Sequence, residues 1–482
     1  MVWDETELTK VHTMSEETDS EGPALVGREC KHAIYTQSSY TDNRGIRDDL
    51  IYVKEVLHYE DGSQERTKRM IPNFKRPFWV TKEGFRDHEE KKEWEKADRL
   101  QYYECTQAEL PSAVKKALGM FTPNNSMRQI SKSPYLYGAD ITPTAIVKHL
   151  YQQKYPDARS PNTVAVLDIE TDVLDGTDVP FYTSVTFKDK AVLSVAQEYL
   201  DRIGYGGDFE KEMREYFYQR LPEMAHERNI DLEVVVNATP LEMIKTAINR
   251  CHEWQPDFIS VWNINFDLPI LIKTIEDAGA DPAEIFSDPD VPPAFRKAYY
   301  KEGASKKVTQ NGREEPKPWY DRWHTFYTPA TFYFIDQAVV FRKLRIAGGK
   351  EPSYALDAIL AKYTDVRKLK NERADHLSGL AWHQYMQKNE PLEYGAYNLI
   401  DCIACEILDE QPKVGDLRQS ISVQVGHSDY DKFDSQTRRT VDDFHFFCIE
   451  EQGHVIATTP PQMKTKFDEM TVGIDKWINC IR

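Results

Sequence analysis

The sequence predicts a mixed α/β protein of more than one domain, on three observations. The apolar segment TVAVLDIET reads as a buried strand ending in acids. The amphipathic segment LEMIKTAINRCHEW leads by a short link into the apolar run DFISVWNIN. Nearer the N-terminus, alternating apolar and polar residues flank the turn Glu60-Asp61-Gly62-Ser63. Helix passing directly into strand is the grammar of α/β folds, whereas alternation around a Gly-containing turn marks a β-hairpin. A chain of 482 residues exceeds what one apolar core organises, so two or three domains are expected.

Taken in order, residues 1–25 are polar and charge-rich and read as a disordered lead. Residues 26–160 read as a smaller β-containing module. DLIYVKEVLHYEDGSQERTKRMI supplies its hairpin and RPFWVT a further strand. The charge-dense stretch Phe85–Arg99 has helical character, and a helix is expected around Pro111–Leu118. AIVKHLYQQKYP then leads through Ala158-Arg159-Ser160-Pro161-Asn162 to the next strand, which places a boundary near Ser160.

From Thr163 strands and helices alternate, and residues 161–410 read as one α/β domain. AVLSVAQEYL fits either a strand or a helix. DLPILIKTIEDAG is a helix, FYFIDQAVVFRKL a strand running into a helix, and PSYALDAILAKY a helix with Ser353 as its N-cap. Residues Asp281–Pro329 are rich in Pro, Lys and aromatics without a period, and read as a long surface insertion that could touch substrate.

A net charge of −18 argues against broad electrostatic wrapping of DNA but leaves room for a local basic groove. Its candidates are Arg66, Lys68, Arg69, Lys75, Arg76, Arg342, Lys343 and Arg345, with solvated surface charge as the alternative. Seven scattered cysteines suit a reducing compartment better than a disulfide framework. Cys402 and Cys405 form the one CxxC, read as inert because no second pair completes a zinc site. No run approaches the ~18 apolar residues of a membrane span. The N-terminus is acidic rather than signal-like, so a soluble, cytoplasmic protein with no membrane partner is expected.

The chemistry lies in three acidic clusters. In Asp168-Ile169-Glu170 the acids are two apart on a strand, so both side chains face one way and can share a metal while Ile169 faces the core. In Asn263-Ile264-Asn265-Phe266-Asp267 the acid follows a strand and opens a helix. There Phe266 is expected to pack inward while Asp267 and Asn263 face the strand ends. Asp267 could instead be a plain helix N-cap. In Tyr397-Asn398-Leu399-Ile400-Asp401 the phenol and carboxylate lie one helical turn apart and share a face. Separations of 99 residues from Asp168 to Asp267 and 134 from Asp267 to Asp401 make the set far more specific than any single cluster. Carboxylates at the ends of apolar runs commonly hold divalent cations against a phosphodiester. The all-oxygen set selects hard cations over zinc.

In these motifs the chain resembles the proofreading 3′→5′ exonuclease of family B DNA polymerases. DIET is similar to the first motif, NINFD to the second and YNLID to the third. ITPTAIVKHL, FYFIDQAVVFRKL, PSYALDAILAKY and EDGSQERTKRM extend the likeness to the T-even phage type over roughly residues 40 to 450. The resemblance implies an RNase-H-like core, a mixed sheet flanked by helices, with two Mg²⁺ or Mn²⁺ ions. It implies that Asp168 bridges both ions, that Glu170 and Asp401 complete the site, and that Asp267 acts mainly through water on a metal. Tyr397 would orient the attacking water, and Lys368 in RKLK would match a lysine contacting the reacting phosphate. Asn263 and Phe266 would contact substrate, a single-stranded or mismatched DNA 3′ end, on whose bases Phe187, Tyr320 or Trp323 could also stack.

The family's palm motif, Asp-x-x-Ser-Leu-Tyr-Pro-Ser, and its later Asp-Thr-Asp pair do not occur in the sequence. Residues 411–455 resemble the segment that leaves the exonuclease and returns to the N-terminal module, and 456–482 the start of a palm-like connection. The expectation is therefore the N-terminal part of a split phage-type polymerase, in the host cell cytoplasm. Its partners would be a separate chain carrying palm, fingers and thumb, and a sliding clamp. The alternative is a non-catalytic DNA-binding or scaffolding subunit.

Overall fold

The computed structural model describes residues 23–121, 126–220, 227–308, 313–369 and 371–459. Most of the lead expected over 1–25, and all but the first residues of the connection expected over 456–482, lie outside the described residues. The chain divides into two compact units: Met1–Arg159 with Val308–Glu315 and Val425–Arg482, and Ser160–Lys307 with Pro316–Gln424.

The first unit opens with β1 (Leu25–Thr41), β2 (Arg47–Tyr59) and β3 (Gln64–Pro72), an antiparallel sheet in that order. The turn predicted between β2 and β3 forms because Gly62 takes a left-handed φ of 83° and Asp61 Oδ1 accepts the Ser63 N–H at 2.9 Å. β4 (Arg76–Thr81) lies between β6 (Leu100–Cys105) and β7 (Leu136–Tyr137). Two helices, α1 (Leu110–Leu118) and α2 (Met127–Ile130), precede α3 (Pro143–Lys154). Thr142 caps α3 by accepting the Ala145 N–H at 3.2 Å, and Val53, Trp79, Ile146 and Leu150 share its core.

The helix expected over Phe85–Arg99 is not there. This stretch holds two single 3₁₀ turns and the short strand β5 (Trp94–Lys96). Its charges find fixed partners instead: Lys91 Nζ donates to the Ser131 and Ser133 carbonyls at 2.8 and 2.7 Å, and Lys92 donates to the buried Glu95 at 2.6 Å. Tertiary partners outweigh helix propensities of a few tenths of a kcal/mol per residue, roughly the range of ordinary residues.

The second unit is built on one mixed sheet. Its strands are β8 (Val164–Thr171), β9 (Pro180–Phe187), β10 (Lys190–Ala196), β11 (Asp231–Asn237), β12 (Phe258–Val261) and β17 (Tyr333–Asp336), in the order β11-β10-β9-β8-β12-β17. β8, β12 and β17 run parallel, β9 is antiparallel to β8 and β10, and β11 is parallel to β10. Four strands between Thr163 and Phe258 are therefore more than the sequence reading named. AVLSVAQEYL resolves as both alternatives, since β10 runs directly into α4 (Gln197–Ile203), followed by α5 (Phe209–Arg220).

The remaining helices cover this sheet. α6 (Pro240–Trp254) starts at Thr239, whose hydroxyl accepts the Glu242 N–H at 3.3 Å, and α7 (Ile264–Asp277) follows β12 after two residues. The expected insertion Asp281–Pro329 is partly structured. It holds α8 (Pro282–Phe286) and the short strands β13 (Tyr299–Lys301), β14 (Lys306–Val308), β15 (Glu314–Pro316) and β16 (Thr325–Tyr327). It also sinks Trp323 and Phe326 into the interior. Burial of those aromatics, not a local period, organises it.

α9 (Gln337–Leu344), α10 (Leu356–Tyr363), α11 (Leu380–Asn389) and α12 (Pro391–Glu410) complete the unit. Ser353 is not the cap of α10: Ala355 holds that position, and Ser353 Oγ accepts the Ala355 N–H at 3.2 Å in a local turn. α12 packs on β8 and β9, and its Gly395 leaves room for side chains from β10 and α5. A Cβ there would come within 3.1 Å of Leu193 Cδ2 and of Met213 Sδ.

Residues 411–424, expected to belong to the returning segment, stay with the second unit. Arg345 ties to Asp416 and to the Lys413 and Val414 carbonyls at 2.9 and 3.1 Å, and Asn162 donates to the Leu417 carbonyl at 2.7 Å. From Val425 the chain belongs to the first unit. There α13 (Gln436–Glu451) precedes β18 (His454–Ile456), which pairs antiparallel with β5. Phe446 of α13 stacks on His149 of α3 at 3.9 Å. Among the described residues no helix is long and apolar enough to cross a membrane.

Candidate active site

β8 carries the first two acids. It is the third neighbour from one end of a six-stranded sheet and is buried along most of its length, so its apolar residues face helices on both sides. Alternation then decides the direction of the last residues. Ile169 is buried, while Asp168 and Glu170 are half-buried on the other face.

Asp267 comes from the first turn of α7 and is buried, with Oδ1 accepting the Ile169 N–H at 3.3 Å. It is therefore not the cap of its helix. That position is Asn263, whose φ of 73° turns the chain sharply from β12 into α7. The inward packing expected of Phe266 is wrong: the ring is 48% exposed. α7 buries Ile264, Asp267, Leu268 and Leu271, spaced at three and four residues, so Phe266 falls on the opposite face.

α12 brings the third cluster. Tyr394, Tyr397, Asn398 and Asp401 follow one another at helical spacing and share one face. Asn398 Nδ2 donates to Asp168 Oδ2 at 2.7 Å, and the Tyr394 hydroxyl donates to Glu170 Oε2. One helix thus holds both acids of β8. Lys368, from the loop after α10, donates to the Tyr397 hydroxyl at 2.9 Å and to Asp401 Oδ2, with its ammonium 4.9 Å from the centre of the Tyr397 ring. Asp168, Asn263, Lys368 and Asp401 line one cavity of about 240 Å³, together with Trp262, Trp319 and Leu356.

Burial governs the electrostatics. It pushes the Asp168 carboxyl up to about 7, with the Asp401 charge adding to it. Burial, then the Asp168 charge, raise Glu170 and Asp267 well above the ordinary carboxylate range. Burial raises Asp401 too, against the pull of Lys368. For Lys368 burial acts downward, and the Asp401 and Tyr397 neighbours more than offset it, so the ammonium is held firmly. Ionising all four acids beside one ammonium would leave an excess of negative charge in a low-dielectric place, which a further cation relieves.

The donor set fits a hard divalent ion. All its members are oxygens, and Asp401 Oδ1 is buried without a hydrogen-bond partner, leaving a lone pair to fill. Among the described residues, however, no three His, Cys, Asp or Glu side chains come together in a metal-holding cluster. Like charges separate carboxylates, and Lys368 already occupies one oxygen of Asp401.

Several expected contributors lie elsewhere. Phe187 and Trp323 are buried and Tyr320 stacks on Tyr354 at 4.2 Å, so the first two have no free face for a base. Arg76 is buried and donates to the Gly138 carbonyl and Gln107 Oε1, both at 2.9 Å, and Arg342 is buried as well. Arg345 is held by Asp416. These three cannot line an open groove. Cys402 and Cys405 are buried in α12, and burial raises both thiols well above their usual range, which keeps them unreactive.

Sequence reasoning missed Tyr394, Asn398 and His383, whose Nδ1 lies 2.7 Å from the Tyr394 hydroxyl. The first two had a signal, since they stand seven and three residues before Asp401 on one helical face. His383, on α11, had none. No family model matches this chain, and no curated protein matches it.

Proposed function

We propose that the second unit is an RNase-H-like, metal-dependent 3′→5′ exonuclease acting on single-stranded or mismatched DNA ends. One observation carries the reading: Asp168 and Asp401, 233 residues apart in sequence, line a single cavity with Lys368, while Glu170 two residues along β8 and Asp267 on the Ile169 N–H stand beside them. The mixed sheet flanked by helices supports it.

Asp168, Glu170, Asp267 and Asp401 would hold two Mg²⁺ or Mn²⁺ ions. Such ions, when bound, acidify an attacking water and neutralise charge on the departing 3′ oxygen. The chain's own groups prepare that chemistry. Asn398 and Tyr394 keep the two β8 acids aimed. Lys368 donates to the Tyr397 hydroxyl and fixes it beside Asp401, where it would orient a water for in-line attack. The Lys368 charge can then follow the phosphate, stabilising negative charge as it builds. The exposed Phe266 offers a face on which a terminal base can stack. A terminal nucleotide must unstack to reach the acids, which costs least at a mismatch.

Digestion of a 5′-labelled single-stranded DNA oligonucleotide with Mg²⁺ or Mn²⁺ tests the reading. A metal-dependent ladder of shortened products, lost in Asp168→Ala/Glu170→Ala, is expected. The separation of the carboxylates favours a second reading, a non-catalytic DNA-binding or scaffolding module. Retained DNA binding without any ladder from folded protein would select it. A separate polymerase chain and a sliding clamp are the partners this reading proposes. Co-migration of such a chain with this one on a sizing column checks the first, and two separate peaks at micromolar concentration reject it.

A further inference from the structure

Resting on the exonuclease reading, we propose that Tyr394 and His383 form a positioning relay for Glu170, and that the relay sets how tightly the site takes a divalent cation. Tyr394 is fully buried on α12, and its hydroxyl donates to Glu170 Oε2. A hydroxyl has one proton. With that proton on the Glu170 side, the phenol oxygen must accept; His383 Nδ1, 2.7 Å away, is placed to donate, and the Gln387 side chain of the same helix also bonds to it. The relay therefore runs from α11 through α12 to β8, with the imidazole proton on Nδ1.

The ring that carries this relay cannot turn. It lies parallel to Tyr397, with centroids 5.8 Å apart and planes within 4°. Trp382 packs its edge against Tyr394 at 5.9 Å and tilts over Tyr397 at 5.1 Å. Glu170 has three rotatable bonds and sits near the end of its strand, so without such a partner it would sample several rotamers and lose that freedom on each binding event. Donors behind a ligating carboxylate hold its orientation in this way and tune affinity. Tyr394 touches Glu170, and His383 touches Tyr394, so both act through Glu170 and are positioning residues.

Direct Mn²⁺ binding to the full chain, read from the paramagnetic resonance signal of free Mn²⁺, tests the relay independently of cleavage. Asp168→Ala/Glu170→Ala sets the baseline. Tyr394→Phe and His383→Leu are expected to weaken Mn²⁺ binding about tenfold, while His383→Asn, whose amide can donate from near the Nδ1 position, returns it to within about threefold of wild type. His383 is half-buried, so its variants carry the test if Tyr394→Phe fails to fold. Wild-type affinity in both Tyr394→Phe and His383→Leu, or failure of His383→Asn to recover what His383→Leu loses, overturns the relay. If wild type binds no more Mn²⁺ than the double variant, the exonuclease reading itself falls.

Discussion

Asn398 donates its side-chain amide to Asp168 Oδ2 at 2.7 Å, one helical turn from Asp401 on the same helix. α12 therefore supplies one acid of the site and aims another. The two tasks are inseparable, because both depend on how α12 packs against β8. Asn398→Leu keeps the volume and removes the donor. It is expected to lower cleavage at subsaturating metal by about tenfold and less at saturating metal, measured as a metal titration of the initial rate.

Asp168→Ala/Glu170→Ala is expected to abolish cleavage and leave the fold intact. Removing two half-buried carboxylates relieves repulsion among four, so the metal-free variant should melt no lower than wild type. Thermal unfolding in a chelator checks this. Residual metal-dependent cleavage would show that the site lies elsewhere.

Lys368→Met leaves Asp401 without the ammonium that offsets its charge. Lys368 is part-exposed, so the loss should fall below the ~3–5 kcal/mol typical of a broken buried pair, at about 1–3 kcal/mol. Added Mn²⁺ should then raise the melting temperature of the variant more than that of wild type, since an ion replaces the missing charge. Equal shifts in both proteins would mean that Lys368 and the ion do not share Asp401.

Phe266→Ala tests the exposed ring. Stability should change by less than about 0.5 kcal/mol, as for other surface positions. Affinity for single-stranded DNA should fall by about 1–3 kcal/mol if the ring stacks on a base, read by fluorescence anisotropy of a labelled oligonucleotide.

Glu406 gives a pH signature away from the site. Burial, opposed by Arg228, pushes its carboxyl up to about 7. Its folded form thus keeps a proton that the unfolded chain has already released. The stability this group contributes is full at low pH and is lost as pH rises from its ordinary value of 4.5 to about 7, flattening above. Glu406→Gln should remove a slope of at most about 1.4 kcal/mol per pH unit in that window. An unchanged difference between the two proteins from pH 4.5 to 7 would contradict it.

Much of the second unit was legible in the sequence because its signals are local. β8 reads as a strand from an unbroken apolar run, and α6 from apolar spacing behind Thr239 and Pro240. Tyr397 and Asp401 share a face because four residues make one turn. The errors arose where partners far away in sequence decide. Phe85–Arg99 looks helical by composition, yet Lys91 is claimed by the Ser131 and Ser133 carbonyls outside it. Arg76 and Arg342 look like surface charge and are buried. Phe266 faces outward because α7 buries Ile264, Asp267, Leu268 and Leu271, a choice made by what packs on that face.

By itself the sequence determined which residues carry the acids, that they sit on a strand end and two helix turns, and that the chain mixes helices with strands. Backbone periodicity is enough for each of these. Tertiary structure alone decided that Asn398, Tyr394 and Lys368 answer those acids, and that His383 stands behind Tyr394. Burial raises the cost of an unpartnered polar group, so the folded chain must supply partners from wherever packing brings a donor. That choice is made in three dimensions and leaves little trace along the chain.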